Sequence, residues 1–144
     1  MTLKDLHILM VEDNPADVRL TREALRDGKI ESILHVVKDG VEAMAYLRRQ
    51  GNYSDASRPN VIFLDLNLPR KNGREVLAEI KSDTAFRRIP VIVLTTSSAQ
   101  SDVLSSYDLH ANAYVVKPAD VEVFTRVLQN IDRFWHKTAE LPAT

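Results

Sequence analysis

A chain of 144 residues, 44% hydrophobic and 27% charged, has the balance of an ordinary soluble domain, large enough to bury roughly 68–70% of its unfolded surface without a disulfide or structural metal. Its formal net charge of −1 gives no electrostatic ground for nucleic acid or an anionic membrane as partner. The lack of cysteine excludes disulfide frameworks, thiolate metal sites and cysteine nucleophiles, and no run reaches the ~18 apolar residues of a membrane span or reads as a signal peptide, so the cytoplasm is the expected location.

The first apolar run, Leu6 to Val11, predicts a strand that stops at Glu12-Asp13. Asn14 before Pro15 reads as a helix cap followed by the favoured first-turn proline, and Asp17 suits the same helix end. That helix is expected over 15–27, with Gly28 supplying a left-handed residue at its end. A second strand is placed at 32–37, and Asp39-Gly40 makes a sharp turn into a helix near 40–50. The stretch from Arg48 to Asn60 is polar, carries Gly51, Ser54, Ser57 and Pro59, and is long for a helix-to-strand connection. It reads as a tolerated surface insertion more than as a recognition loop. Strands then follow at 61–65, at 90–95 with Pro90 first, and at 113–117, alternating with helices near 72–82, 99–108 and 119–134. The runs at 61–64 and 91–94 are almost purely Val, Ile, Leu and Phe, as strands buried on both faces are. The alternation predicts βα units and a parallel sheet covered on both sides.

Ligands bind such sheets at the carboxyl ends of the strands. Here those ends carry Glu12-Asp13, Asp65, Thr95 and Lys117. Three clustered acids would repel and raise one another's pKa. A hard divalent cation removes the conflict, and Mg²⁺ binds through one or two carboxylates while keeping several waters. A carboxylate beside Mg²⁺ can also attack phosphorus and become an aspartyl phosphate, chemistry that is mostly positioning and charge neutralisation. Lys117 and Thr95 are the right types to hold the remaining phosphoryl oxygens.

These residues, with their neighbours, resemble the receiver domain of two-component response regulators. The matching segments are Ile8 to Asn14, Leu64 to Pro69 with Asn72-Gly73, Pro90 to Thr96, and Ala111 to Pro118. The resemblance implies a flavodoxin-like (βα)5 doubly wound fold, with five parallel strands in the order 2-1-3-4-5. It implies that Asp65 is the phosphoacceptor, and that Glu12, Asp13, Asp65 and the Asn67 main-chain carbonyl ligate Mg²⁺. Thr95 matches the switch hydroxyl, Tyr114 the aromatic switch position and Lys117 the phosphate-pairing lysine, with the Lys117–Pro118 bond cis as in the family. Asp13 to Asp17, the lengthened 48–60 connection, Leu66 to Gly73 and Phe134-Trp135 resemble, more narrowly, the single-domain regulators paired with cyanobacterial phytochromes. The implied partner is then a histidine kinase, a bacterial phytochrome in the narrower match, with a receiver serving another kinase or phosphorelay as the alternative.

A receiver domain is expected over 1–134 and a short tail over 135–144, with no output domain, so signalling would run through altered affinity for other proteins. The last helix carries Phe124, Val127, Leu128, Ile131 and Trp135 at helical spacing, a stripe for the core. Tyr107, Tyr114, Val123, Phe124, Phe134 and Trp135 are expected to form a self-association surface and a homodimer. A phosphohydrolase using Asp65 would want a second acid two residues on, where Asn67 stands. A flavodoxin-like cofactor carrier would want Gly, Ser or Thr donors where Glu12-Asp13-Asn14-Pro15 stands. A degenerate receiver serving only as an adaptor would not need the whole set of acids, hydroxyl and lysine.

Overall fold

Strands built from β-branched and large apolar residues set the frame of the protein, seen in a computed structural model that describes residues 5–142. Residues 1–4 of the expected receiver unit and 143–144 of the expected tail lie outside the described residues. The strands are β1 (Leu6–Val11), β2 (Ser32–Val37), β3 (Val61–Leu64), β4 (Val91–Thr95) and β5 (Ala113–Val116). They alternate with helices α1 (Pro15–Asp27), α2 (Gly40–Leu47), α3 (Gly73–Ser82), α4 (Gln100–Asp108) and α5 (Val121–Ile131). All strand pairs are parallel, and the sheet order is β2-β1-β3-β4-β5, the flavodoxin-like order. Alternate side chains of each strand feed two cores. Leu9, Val11, Ile62, Leu64, Val91 and Val93 meet α2 and α3 through Met44, Leu47, Val76, Leu77 and Ile80. Leu6, Ile8, Met10, Phe63, Ile92 and Leu94 meet α1 and α5 through Ala24, Leu25, Phe124 and Leu128. Strands β3 and β4 are buried at every position, which is why their sequences do not alternate.

Four of the five helices that leave the carboxyl edge are started by a local side chain. Asn14 accepts from the Ala16 amide at 2.9 Å, Asp39 from Glu42 at 2.8 Å, Asn72 from Glu75 at 3.1 Å and Asp120 from Glu122 at 2.7 Å. Helix α4 lacks such a cap at Ala99, and Ser106 is its one buried residue. The left-handed residue closing α1 is Lys29, with φ 54°, rather than Gly28, whose φ is −79°. The Ile30 amide reaches back to the Leu25 carbonyl at 3.1 Å, a closure that needs positive φ one residue later than expected. Gly28 serves packing instead: a Cβ there would lie 3.1 Å from both the Ala24 oxygen and Gln129 Cγ of α5.

Helix α2 ends at Leu47, and a single 3-10 turn over Gly51–Tyr53 breaks the expected loop. The connection is well anchored. Tyr46 donates to the Ser57 carbonyl at 3.2 Å, Tyr53 to Glu42 at 2.9 Å, and Asn60 exchanges bonds with the backbone of His7 at 2.8 Å. At the other end of the chain, α5 passes into a π turn over Asp132–His136, where His136 Nδ1 and Asp132 Oδ1 form a buried pair 2.7 Å apart. Packing does not stop at residue 134, because Trp135 and Leu141 lie against the second core.

Two further expectations need correction. Phe124 cannot contribute to a docking surface: it is 1% exposed, since it sits in the middle of the α5 stripe that covers the sheet. The Lys117–Pro118 peptide is trans, as is every peptide among the described residues, and the Lys117 side chain makes its ionic contacts from that backbone.

Candidate functional site

The sheet ladder continues one step past the strands and thereby aligns the polar residues that follow them. The Asp65 amide donates to the Val11 carbonyl at 3.1 Å, Glu12 to Val37 at 2.9 Å, and Lys117 to Thr95 at 2.7 Å. Asp65 is thus held beside Glu12, and Lys117 beside Thr95, at one edge. The apolar strands supply the register; residues at or just past the ends of β1, β3, β4 and β5 supply the chemistry.

One oxygen each from Glu12, Asp13 and Asp65 falls in a group whose members all lie within 4.8 Å of one another. Glu12 is 1% exposed and Asp65 9%, while Asp13 faces solvent. Lys117 Nζ contacts the Glu12 carboxylate, lies 2.9 Å from Asp17 Oδ2 and 3.5 Å from Asp65 Oδ2. One ammonium therefore faces three carboxylates, with Asp13 a fourth acid nearby. Burial pushes the Glu12 carboxyl up to about 7 despite the pull of Lys117, and the Asp65 charge adds to the rise. Burial works against the Lys117 ammonium as well, but its bonds to Glu12 and Asp17 outweigh that and hold its pKa above the usual lysine value. All-oxygen hard donors with excess negative charge suit a divalent cation such as Mg²⁺. Asn67 lies at the rim, its amide 3.4 Å from Asp65 Oδ1.

Thr95 is fully buried, yet its Oγ1 has no hydrogen-bond partner. A buried hydroxyl left unpaired costs about 1–3 kcal/mol, and Thr95 stands at the same carboxyl edge of the sheet as Lys117, where a ligand oxygen would satisfy it. Tyr114, on the neighbouring strand, packs against the first core and donates its phenol to the Ser97 carbonyl at 2.8 Å. Its ring lies inward, and the Ser97 that accepts from it is two residues along the chain from Thr95.

Glu12, Asp13, Asp65 and Lys117 meet in one pocket, and Thr95 adjoins it. Tyr107, Val123 and Phe134 instead lie exposed on the α4–β5–α5 side, with Leu104 and Val116, while Trp135 is half-buried with its ring edge-on to Phe134 at 5.0 Å. Asp17 was legible as a helix-end acid but not as a partner of Lys117, because only the fold sets the first turn of α1 over the end of β5. Arg74 and Asp102, which form an ion pair between α3 and α4, carry no sequence signal that joins them.

A family profile described as the response regulator receiver domain matches residues 8–129. Response regulator Rcp1 of Synechocystis sp. is 50% identical over 136 residues, covering 94% of this chain and 92% of that one. The solved structure of the phosphorylated cyanobacterial phytochrome response regulator RcpA is similar with a TM-score of 0.89 and 52% identity, covering 96% of this chain and 99% of that one. The Mn²⁺-bound form of Rcp1 matches with a TM-score of 0.86 and 49% identity over 96% and 99% of the two chains.

Proposed function

This chain belongs to the response regulator receiver domain family, and from that premise we propose that Asp65 accepts a phosphoryl group from a histidine kinase in phytochrome light signalling. One observation carries the assignment of the residue: Asp65 sits among Glu12, Asp13 and Lys117, beside a buried Thr95 hydroxyl that has no partner of its own. An Asp65 carboxylate oxygen forms the new bond to phosphorus as the P–N bond of the kinase phosphohistidine breaks, and the electron pair leaves with the imidazole. Lys117 turns its ammonium toward one phosphoryl oxygen, and Thr95 donates its hydroxyl to another, which ends its unpaired state. Glu12, Asp13, Asp65 and the Asn67 carbonyl are the groups that would hold Mg²⁺; the ion supplies charge neutralisation for the acids and the incoming phosphoryl oxygens.

The phytochrome assignment draws on the regulators named above, one of them described as a cyanobacterial phytochrome response regulator. The chemistry stays confined to the protein's own phosphoryl group, in the cytoplasm, and the output is a changed affinity for partner proteins. Tyr107, Val123 and Phe134, extended by Leu104 and Val116, form the apolar side through which two copies associate. Light scattering across concentration checks that point: a single monomer mass throughout, phosphorylated or not, rejects the dimer.

Treatment with acetyl phosphate and Mg²⁺, followed by intact-mass measurement, tests the main reading. One acid-stable, base-labile phosphate per chain, absent in Asp65→Asn, is the expected result. No adduct on the wild-type chain, or continuous hydrolysis of unrelated phosphomonoesters, overturns it. Faster phosphoryl transfer from a phytochrome kinase than from an unrelated sensor kinase supports the light-signalling assignment, and the reverse order removes it.

A further inference from the structure

The loop between β4 and α4 is tied down by a polar chain that begins outside the phosphoryl pocket. Arg74, on α3, pairs with Asp102 Oδ1 in the first turn of α4, and its Nε donates to Ser105 Oγ at 3.3 Å. The second oxygen of Asp102 accepts from Ser97 Oγ at 2.5 Å, and Ser97 Oγ in turn accepts from the Ala99 amide at 3.3 Å. The main-chain oxygen of Asp102 takes the hydroxyls of Ser105 and Ser106 at 3.1 and 2.8 Å. Ser97 is therefore fixed by its side chain to α4, while its carbonyl receives the Tyr114 phenol at 2.8 Å.

Apart from the Tyr114 amide, which donates to the Tyr107 hydroxyl at 3.2 Å, little else ties α4 in this place. Its first turn lacks a side-chain cap, and Ser106 is its one buried residue. Elements with few buried apolar contacts are those that open or shift most readily. A polar tether at that point decides where the loop sits, and the loop carries the acceptor of Tyr114 and starts from Thr95, the last residue of β4, whose hydroxyl is unpaired.

We propose that the Arg74–Asp102–Ser97 chain is a brace that holds the β4–α4 loop in the arrangement competent for phosphoryl transfer, so that Arg74 and Asp102 are positioning residues for the reaction at Asp65. This rests on the reading of Asp65 as phosphoacceptor. With the brace intact, the Ser97 carbonyl faces Tyr114, the ring stays against the core, and Thr95 presents its hydroxyl to the pocket. With it broken, Ser97 is free to rotate, Tyr114 loses its acceptor, and the population shifts to loop positions in which Thr95 is misplaced.

Arg74→Met keeps the aliphatic stem and removes the charge at a residue outside the pocket. The brace requires that this variant form the phosphoryl adduct with acetyl phosphate and Mg²⁺ more slowly than wild type by about fivefold or more, with Mg²⁺ affinity unchanged. The fluorine resonance of 3-fluorotyrosine at position 114 shifts in the same variant. In a Tyr114→Phe background, Arg74→Met has no further effect, because the carbonyl it positions no longer has a client. An unchanged rate, or the same loss with and without the Tyr114 hydroxyl, overturns the brace. If the wild-type chain forms no adduct, the phosphoacceptor reading fails, and the fluorotyrosine resonance decides the brace alone: a shift in Arg74→Met supports it, and an unmoved line refutes it. Urea unfolding of Arg74→Met at wild-type stability separates positioning from a loss of fold.

Discussion

Lys117 is 6% exposed in its side chain and Glu12 1%, so neither charge can be screened by water if its partner is removed. Breaking a buried pair from one side leaves an uncompensated charge and costs about 3–5 kcal/mol. Lys117→Met should therefore lose that much stability in urea at pH 8 with a chelator present, and a loss below about 1 kcal/mol would mean that Glu12 is not held by this contact. The acids, Thr95 and Lys117 were legible in sequence because each ends an apolar run, and a strand-end position survives small errors in boundary. Asp17 as a Lys117 partner was not, since the two residues are 100 positions apart and meet only after α1 and β5 are placed. Phe124 was misplaced for a related reason: helical spacing identifies a stripe but does not say which member lies at its buried centre.

Among the elements, the turn from β3 into α3 leaves no room for a side chain. A Cβ on Gly73 would lie 2.3 Å from the Asp65 carbonyl oxygen and 2.5 Å from Leu66 Cα, and the Gly73 amide closes the turn on the Leu66 carbonyl at 3.0 Å. Gly73→Ala should push the residue-65 backbone aside, costing about 1–3 kcal/mol by overpacking and sharply slowing adduct formation; wild-type rates in the variant would show that the turn gives way harmlessly. On the edge strand β2, His35 stacks on His7 with ring centroids 5.9 Å apart. Burial, then the charge of His7, lowers the His35 pKa below 6.5. The folded state thus resists a proton that the unfolded state accepts, so the contribution is complete above pH 6.5 and lost as pH falls through the lower, folded value. The stability gap between wild type and His35→Phe should narrow on going from neutral to mildly acidic pH; a gap independent of pH refutes this. Composition could not reveal that the 48–60 connection is anchored, because its ties run to Glu42 and to β1 through tyrosine and asparagine side chains.

For the molecule as a whole, the cost of gathering the acids links stability to the cation. A ligand present at a hundred times its Kd and bound only by the folded state adds about 2.7 kcal/mol. For a chain of this length that raises Tm by about 5–10 °C. Mg²⁺ should produce such a rise in scanning calorimetry, a chelator should reverse it, and Asp65→Asn should reduce it; a Tm indifferent to Mg²⁺ argues against the metal pocket. At this scale the alternation of runs was enough to indicate a parallel sheet covered on both faces. The strand order was not contained in periodicity and came from resemblance, because nothing local in a strand names its neighbour.

The lengthened connection between α2 and β3 enters the sheet at the amino end of β3, while every residue of the pocket hangs from a carboxyl end. Extra chain can therefore accumulate there at no cost to the chemistry across the sheet, whereas one residue added within a strand would swing its terminal group to the wrong side. A fluorescent reporter spliced in after Asn52 would ride on the far rim and leave phosphate capture untouched. The same graft beside Leu66 would silence it.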